Sequence, residues 1–83
     1  MYVQSYLPGS TVKHGRLSSI TSTKSEMIEY AQKCAKQNCY VEIVDGYEMV
    51  IFSKGFWYVY DINGLSDKKY KYLKSALKRI TLS

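Results

Sequence analysis

The sequence has little of what catalytic and metal-binding sites are built from. One histidine, two cysteines and seven carboxylates are spread over 83 residues. His14 has Lys13, Gly15 and Arg16 beside it rather than a carboxylate or a nucleophile, so it lacks a partner for acid-base or nucleophilic work. Cys34 and Cys39 are too few for the disulfide framework of a secreted mini-protein, supply half of a four-ligand zinc site, and do not have CxxC spacing. They read instead as small hydrophobes, Cys34 on a helix and Cys39 at the start of the following strand. No Gly-rich loop precedes a helix to hold a nucleotide phosphate, and no pair of carboxylates is placed for general acid and base roles. No catalytic residue, metal or cofactor is therefore expected, and the protein is expected to work by binding.

Long apolar runs are also missing. The longest, Met49 to Phe52, is far below the roughly 18 residues of a membrane span, so no membrane partner is expected. Residues Met1 to Gly9 lack the basic start and apolar centre of a secretory leader, and with only two cysteines a reducing, cytoplasmic setting is expected. What is present is a globular composition, 46% hydrophobic and 23% charged, which argues against disorder. A length of 83 residues predicts a single small α+β domain, 1–83.

Tyr2 to Leu7 is rich in Tyr, Val and Leu and closes on Pro8-Gly9, which predicts a strand. Ser10 to Ser22 shows no clear period and reads as a loop containing a short extended segment. Thr23 and Glu26 form a capping-box pair at the start of a helix. Its apolar stripe is Met27, Ala31, Cys34 and Ala35, and it ends near Asn38, a residue that tolerates the left-handed conformation. From Cys39 the period changes to two. Asp45-Gly46 and Lys54-Gly55 then separate three short strands, predicting a three-stranded antiparallel meander. Ser66 fits an N-cap, and Tyr70, Leu73, Leu77 and Ile80 make the stripe of a second helix. The expected order is β-α-β-β-β-α, a three-stranded meander packed with two helices.

From Thr23 to Ile80 the order α-β-β-β-α resembles the double-stranded-RNA-binding domain, and Ser66-Asp67-Lys68-Lys69-Tyr70-Lys71 resembles the basic start of its second helix. That likeness, one of element order, implies phosphate contacts from this segment. Tyr40 to Ile80 is similar in outline to the three-strand-plus-helix DNA-binding domains of phage integrases, in which the sheet enters the major groove.

Two features of the residues themselves suggest how the protein binds. Residues 67–83 carry six basic side chains against Asp67 alone, a net of +5, while residues 1–66 hold six of each sign. The formal charge thus belongs to the last segment, which is a solvated face or a patch for phosphates or an acidic protein. In the meander, Cys39, Val41, Ile43, Glu48, Val50, Phe52, Trp57 and Val59 share one face, taken as the core side. Tyr40, Glu42, Val44, Tyr47, Met49, Ile51, Phe56, Tyr58 and Tyr60 share the other. That face is too apolar to be left to water, so the second helix or the N-terminal segment is expected to cover it, unless it is a docking surface.

The leading expectation is a small nucleic-acid-associated regulator that contacts phosphates through Lys68, Lys71, Lys74, Lys78 and Arg79 on a basic C-terminal helix. The alternative is a phage-type inhibitor or adaptor that docks on a host protein or nucleoprotein complex. Its interface would combine Tyr47, Tyr58 and Tyr60 with the same basic helix.

Overall fold

The computed structural model describes residues 1–80 of the chain. Two strands, β1 (Tyr2–Tyr6) and β2 (Lys13–Ser18), precede helix α1 (Lys24–Lys36). Four strands follow, β3 (Tyr40–Asp45), β4 (Glu48–Ser53), β5 (Phe56–Asp61) and β6 (Gly64–Tyr70), and a short helix α2 (Leu73–Leu77) comes last. The fold is α+β. Its sheet has six antiparallel strands in the order β2-β1-β3-β4-β5-β6, so the three-stranded meander is the centre of a sheet twice as wide.

Helix α1 follows from local chemistry. The Glu26 amide donates to Thr23 Oγ1 at 3.2 Å and the Thr23 amide donates to Glu26 Oε1 at 2.9 Å, which satisfies two otherwise unpaired donors. The backbone and side-chain hydrogen bonds from Thr23 also hold the Glu26 carboxyl below its ordinary pKa. At the other end, Cys39 N donates to Cys34 O and Asn38 N to Ala35 O, with Asn38 at φ +61. This is a Schellman closure. It delivers the chain directly into β3, and Met27, Ala31 and Cys34 on the helix are buried against β1 and β3.

The meander keeps its expected faces with one change of register. Asp45 pairs with Glu48 and Val44 with Met49, so Gly46-Tyr47 makes the turn, not Asp45-Gly46. The pairing moves by two residues, and an even shift leaves every side chain that stays in a strand on its own face, while Tyr47 passes into the turn. Ser53 pairs with Phe56 as expected. Lys54 and Gly55 both have positive φ, the pattern of a type I′ hairpin turn.

The extended segment expected within residues 10–22 is Lys13 to Ser18, which pairs with β1 as an edge strand. One expectation fails, because the second helix does not begin at Ser66. Asp61 Oδ1 accepts from the Asn63 amide at 2.8 Å, Gly64 at φ +102 reverses the chain, and residues 64–70 return along β5 as β6. Pairing with β5 satisfies a row of its backbone donors and acceptors that would otherwise lie on an open edge. Tyr70 therefore sits opposite Trp57 in the sheet, and only Leu73, Ala76 and Ile80 form the buried side of the remaining helical segment. The order from Thr23 is α-β-β-β-β-α, so the two family likenesses of element order do not hold.

Both helices lie on one side of the sheet. Val3, Ile43, Val50 and Val59 form a buried row across four strands. Phe52 and Trp57, with ring centroids 4.8 Å apart, lie in the next row. Among the described residues, Ser5 is the one buried polar residue, and its hydroxyl is within 3.3 Å of Tyr30 Oη from α1. Among the described residues, no helix is long and apolar enough to cross a membrane.

Candidate binding face

The side of the sheet away from the helices is covered by neither of them. The N-terminal segment, expected as a possible lid, extends the sheet as β1 instead. The open face is built from the alternate residues of all six strands, since successive side chains in a strand point to opposite sides. One transverse row runs Arg16, Gln4, Glu42, Ile51, Tyr58, Lys69 from β2 to β6. Tyr6, Tyr40, Ser53 and Phe56 form the row on one side of it. Tyr2, Val44, Met49, Tyr60 and Leu65 belong to the row on the other.

Aromatic rings and cations are interleaved on this face. The Arg16 guanidinium lies 4.5 Å from the centroid of Tyr2, and Lys69 Nζ lies 4.3 Å from that of Phe56. Such contacts hold a charge over the face of a ring by attraction to its quadrupole. Arg16 and Lys69 stand at opposite edges of one row, separated by five inter-strand steps of about 4.8 Å, or about 24 Å. Between them, Gln4 Nε2 donates to Glu42 Oε1 at 2.7 Å, which partners the only acidic side chain of that row. Tyr6 and Tyr40 pack with centroids 5.9 Å apart and planes tilted by 53°. Burial, helped by the nearby Glu42 carboxylate and Tyr6, pushes the Tyr40 phenol above its ordinary pKa. Two depressions of about 340 and 400 Å³ meet at Tyr40, one bounded by Tyr6 and Thr11, the other by Ile51, Tyr58 and Leu65.

The residues singled out in the sequence are distributed differently. Tyr58 lies in the central row and Tyr60, 43% exposed, in the next. Tyr47, expected on this face, is the second residue of the β3–β4 turn and is 90% exposed. Ile20 and Ile62, on the loops that leave β2 and β5 at the same end of the sheet, are 93% and 88% exposed. The six-residue basic cluster is not brought to one helix face. Lys68 is on β6 with Nζ 5.4 Å from the Tyr70 ring, Lys71 lies between β6 and α2, Lys74 is on α2, and Lys78 and Arg79 follow it. All five are exposed.

Arg16, Lys69, Tyr2, Tyr6 and Phe56 complete the face. Phe56 was placed on it from the sequence, while Tyr2 and Tyr6 could have been found from their shared parity in β1. Arg16 carries no such signal, because the pairing of β2 with β1 is what puts it there. His14, expected in a loop, is exposed on β2. Among the described residues no group of three His, Cys, Asp or Glu could hold a metal ion. Both thiols are buried, and burial, with Cys34 nearby, pushes Cys39 above its ordinary value. A protonated thiol is a poor nucleophile and a poor metal ligand. Comparison with known protein families, with curated proteins and with solved structures finds no match.

Proposed function

We propose that this is a small non-catalytic protein that binds single-stranded nucleic acid on the open face of its sheet, as part of a nucleic-acid-associated regulator. The observation that carries this reading is the central row. Two cations already seated over aromatic rings bracket a surface on which Tyr40, Phe56 and Tyr58 are half-buried. Binding of single strands without base readout needs aromatic surface for stacking and positive charge that follows the backbone, and this face offers both. A chain of net charge +5 adds a favourable long-range field. Duplex fits less well, because a flat aromatic face has no reach into a groove.

The test is titration of a labelled oligothymidylate and a labelled oligouridylate at low and physiological salt. Tyr58→Ala is expected to weaken binding by about 1 to 3 kcal/mol through lost stacking. Arg16→Ala with Lys69→Ala is expected to flatten the logarithmic salt dependence by about 0.7 for each phosphate no longer neutralised. Lys74→Ala with Lys78→Ala removes the same formal charge away from the face and is expected to change affinity less. Absence of binding at low salt, or equal losses for the two double variants, would defeat the proposal.

A second reading, an inhibitor or adaptor that docks on a host protein or nucleoprotein complex, is favoured by a separate feature. Ile20, Tyr47 and Ile62 stand almost fully exposed at one end of the sheet, where apolar tips are suited to a protein surface.

A further inference from the structure

On the helical side a groove of about 390 Å³ separates the C-terminal half of α1 from the start of α2. Its floor is Phe52 and Trp57, its walls include Ala35 and Leu73, and Lys36 and Lys71 stand on its rim. The two lysines come from segments far apart in sequence and are both exposed, and no acidic residue lines the groove. The carboxylates of α1, Glu26 and Glu29, lie in its N-terminal half, whereas Lys33 and Lys36 occupy the last turn. Beyond Lys71, the cations of α2 and the residues after it, Lys74, Lys78 and Arg79, extend the positive field on the other side.

The geometry points to this groove as a docking site for a short acidic peptide segment carrying one apolar anchor. Complementarity of charge selects an anionic partner, with carboxylates opposite Lys36 and Lys71. The floor decides which kind. Trp57 and Phe52 are only 3% and 8% exposed, so neither floor ring presents a free face on which a base could stack, and the exposed lining ring, Tyr72 at 65%, has Lys71 Nζ 5.8 Å from its centroid. What they offer is an apolar bottom to a recess, suited to an aliphatic side chain inserted between two helices. The site is separate from the open sheet face, lies in the other layer, and does not depend on nucleic-acid binding there.

The only tryptophan of the chain is on the floor, so its fluorescence reads occupancy directly. The probe is an end-blocked twelve-residue peptide of glutamates with one central leucine, titrated into the 83-residue chain at low salt. Replacing that leucine by serine is expected to weaken binding about tenfold or more, the effect of losing one buried aliphatic side chain. Lys36→Glu with Lys71→Glu is expected to abolish binding, while Arg16→Ala with Lys69→Ala is expected to leave it unchanged. If the charge reversals disturb folding, Lys36→Gln with Lys71→Gln is measured instead. Amide shifts of the wild-type protein are then expected to move at Ala35, Tyr72 and Leu73. No binding at millimolar peptide, equal affinity for the serine peptide, or binding retained by the double variant would each overturn the assignment. So would displacement of the leucine peptide by oligothymidylate at equal charge concentration.

Discussion

Gly15 is the position where a single methyl group tests the packing of α1 on the sheet. It lies on the helical side of β2, opposite buried Ser5 of β1, and Tyr30 of α1 reaches over it. A Cβ at residue 15 would overlap Tyr30 Oη, with the ring Cζ next at 3.3 Å and Ser5 Oγ at 3.8 Å. Gly15→Ala therefore forces Tyr30 to withdraw. Its hydroxyl then leaves Ser5, and a buried hydroxyl without a partner costs about 1 to 3 kcal/mol. Against this, alanine in a strand regains about 0.5 to 1 kcal/mol of chain entropy relative to glycine. The net expected effect is a loss of up to about 2.5 kcal/mol, or up to roughly 10 to 20 °C in melting temperature for a domain of this size. The background Tyr30→Phe removes the overlapping oxygen and has already lost the hydrogen bond, so adding Gly15→Ala there is expected to cost nothing. The coupling is then the hydroxyl contribution of about 1 to 3 kcal/mol, which exceeds the roughly 0.3 to 0.5 kcal/mol scatter of independent sites. Urea denaturation of the wild type, both single variants and the double variant measures it, and an equal cost of Gly15→Ala in both backgrounds would refute the reasoning. Ser5→Ala combined with Tyr30→Phe should recover most of the loss from Tyr30→Phe alone, since both partners of the hydrogen bond are then gone.

Trp57→Ala should cost about 3 to 5 kcal/mol, because the ring is almost wholly buried against Phe52. Against the low end of the usual range of about 5 to 15 kcal/mol of domain stability, a nearly unshifted circular-dichroism melt would contradict the core assignment. Alkaline pH should destabilise the fold. Burial raises Cys39, Tyr30 and Tyr40 above their ordinary values, so the folded state keeps these groups neutral where the unfolded chain ionises. The contribution is complete below the unfolded values and is lost as pH rises through the folded ones, so stability should fall from about pH 9 upward. Denaturant titrations from about pH 8 upward should show that decline, diminished in Cys39→Ala and Tyr40→Phe; a flat profile would count against it.

The parts of the fold legible in the sequence are those whose causes are local. Thr23, Glu26 and Asn38 set the ends of α1 through hydrogen bonds within a few residues of each other. The alternation in 39–60 assigned the faces of the paired residues correctly, and the two-residue register error at Gly46-Tyr47 displaced only Tyr47, which went to the turn. The tyrosine-bearing outer face was therefore readable, including Tyr58 and Tyr60.

What tertiary structure decided is the fate of segments whose partners are distant or whose local preference is overruled. Lys13 to Ser18 has no strand-like alternation of apolar residues and becomes a strand only because β1 offers it an edge. Residues 66–70 carry a cap and lysines suited to a helix. Pairing with β5 outweighs that preference because it satisfies a row of backbone groups and places Tyr70 beside Trp57, whereas a helix there would leave the β5 edge bare. The same two pairings carry Arg16 and Lys69 to opposite edges of one row and leave the aromatic face open. The shortening of the last helix sets Lys71 across a groove from Lys36. Residues that share a face through local periodicity can be read one strand or helix at a time. Those brought together by the strand order of a six-stranded sheet are neighbours only once the chain has closed.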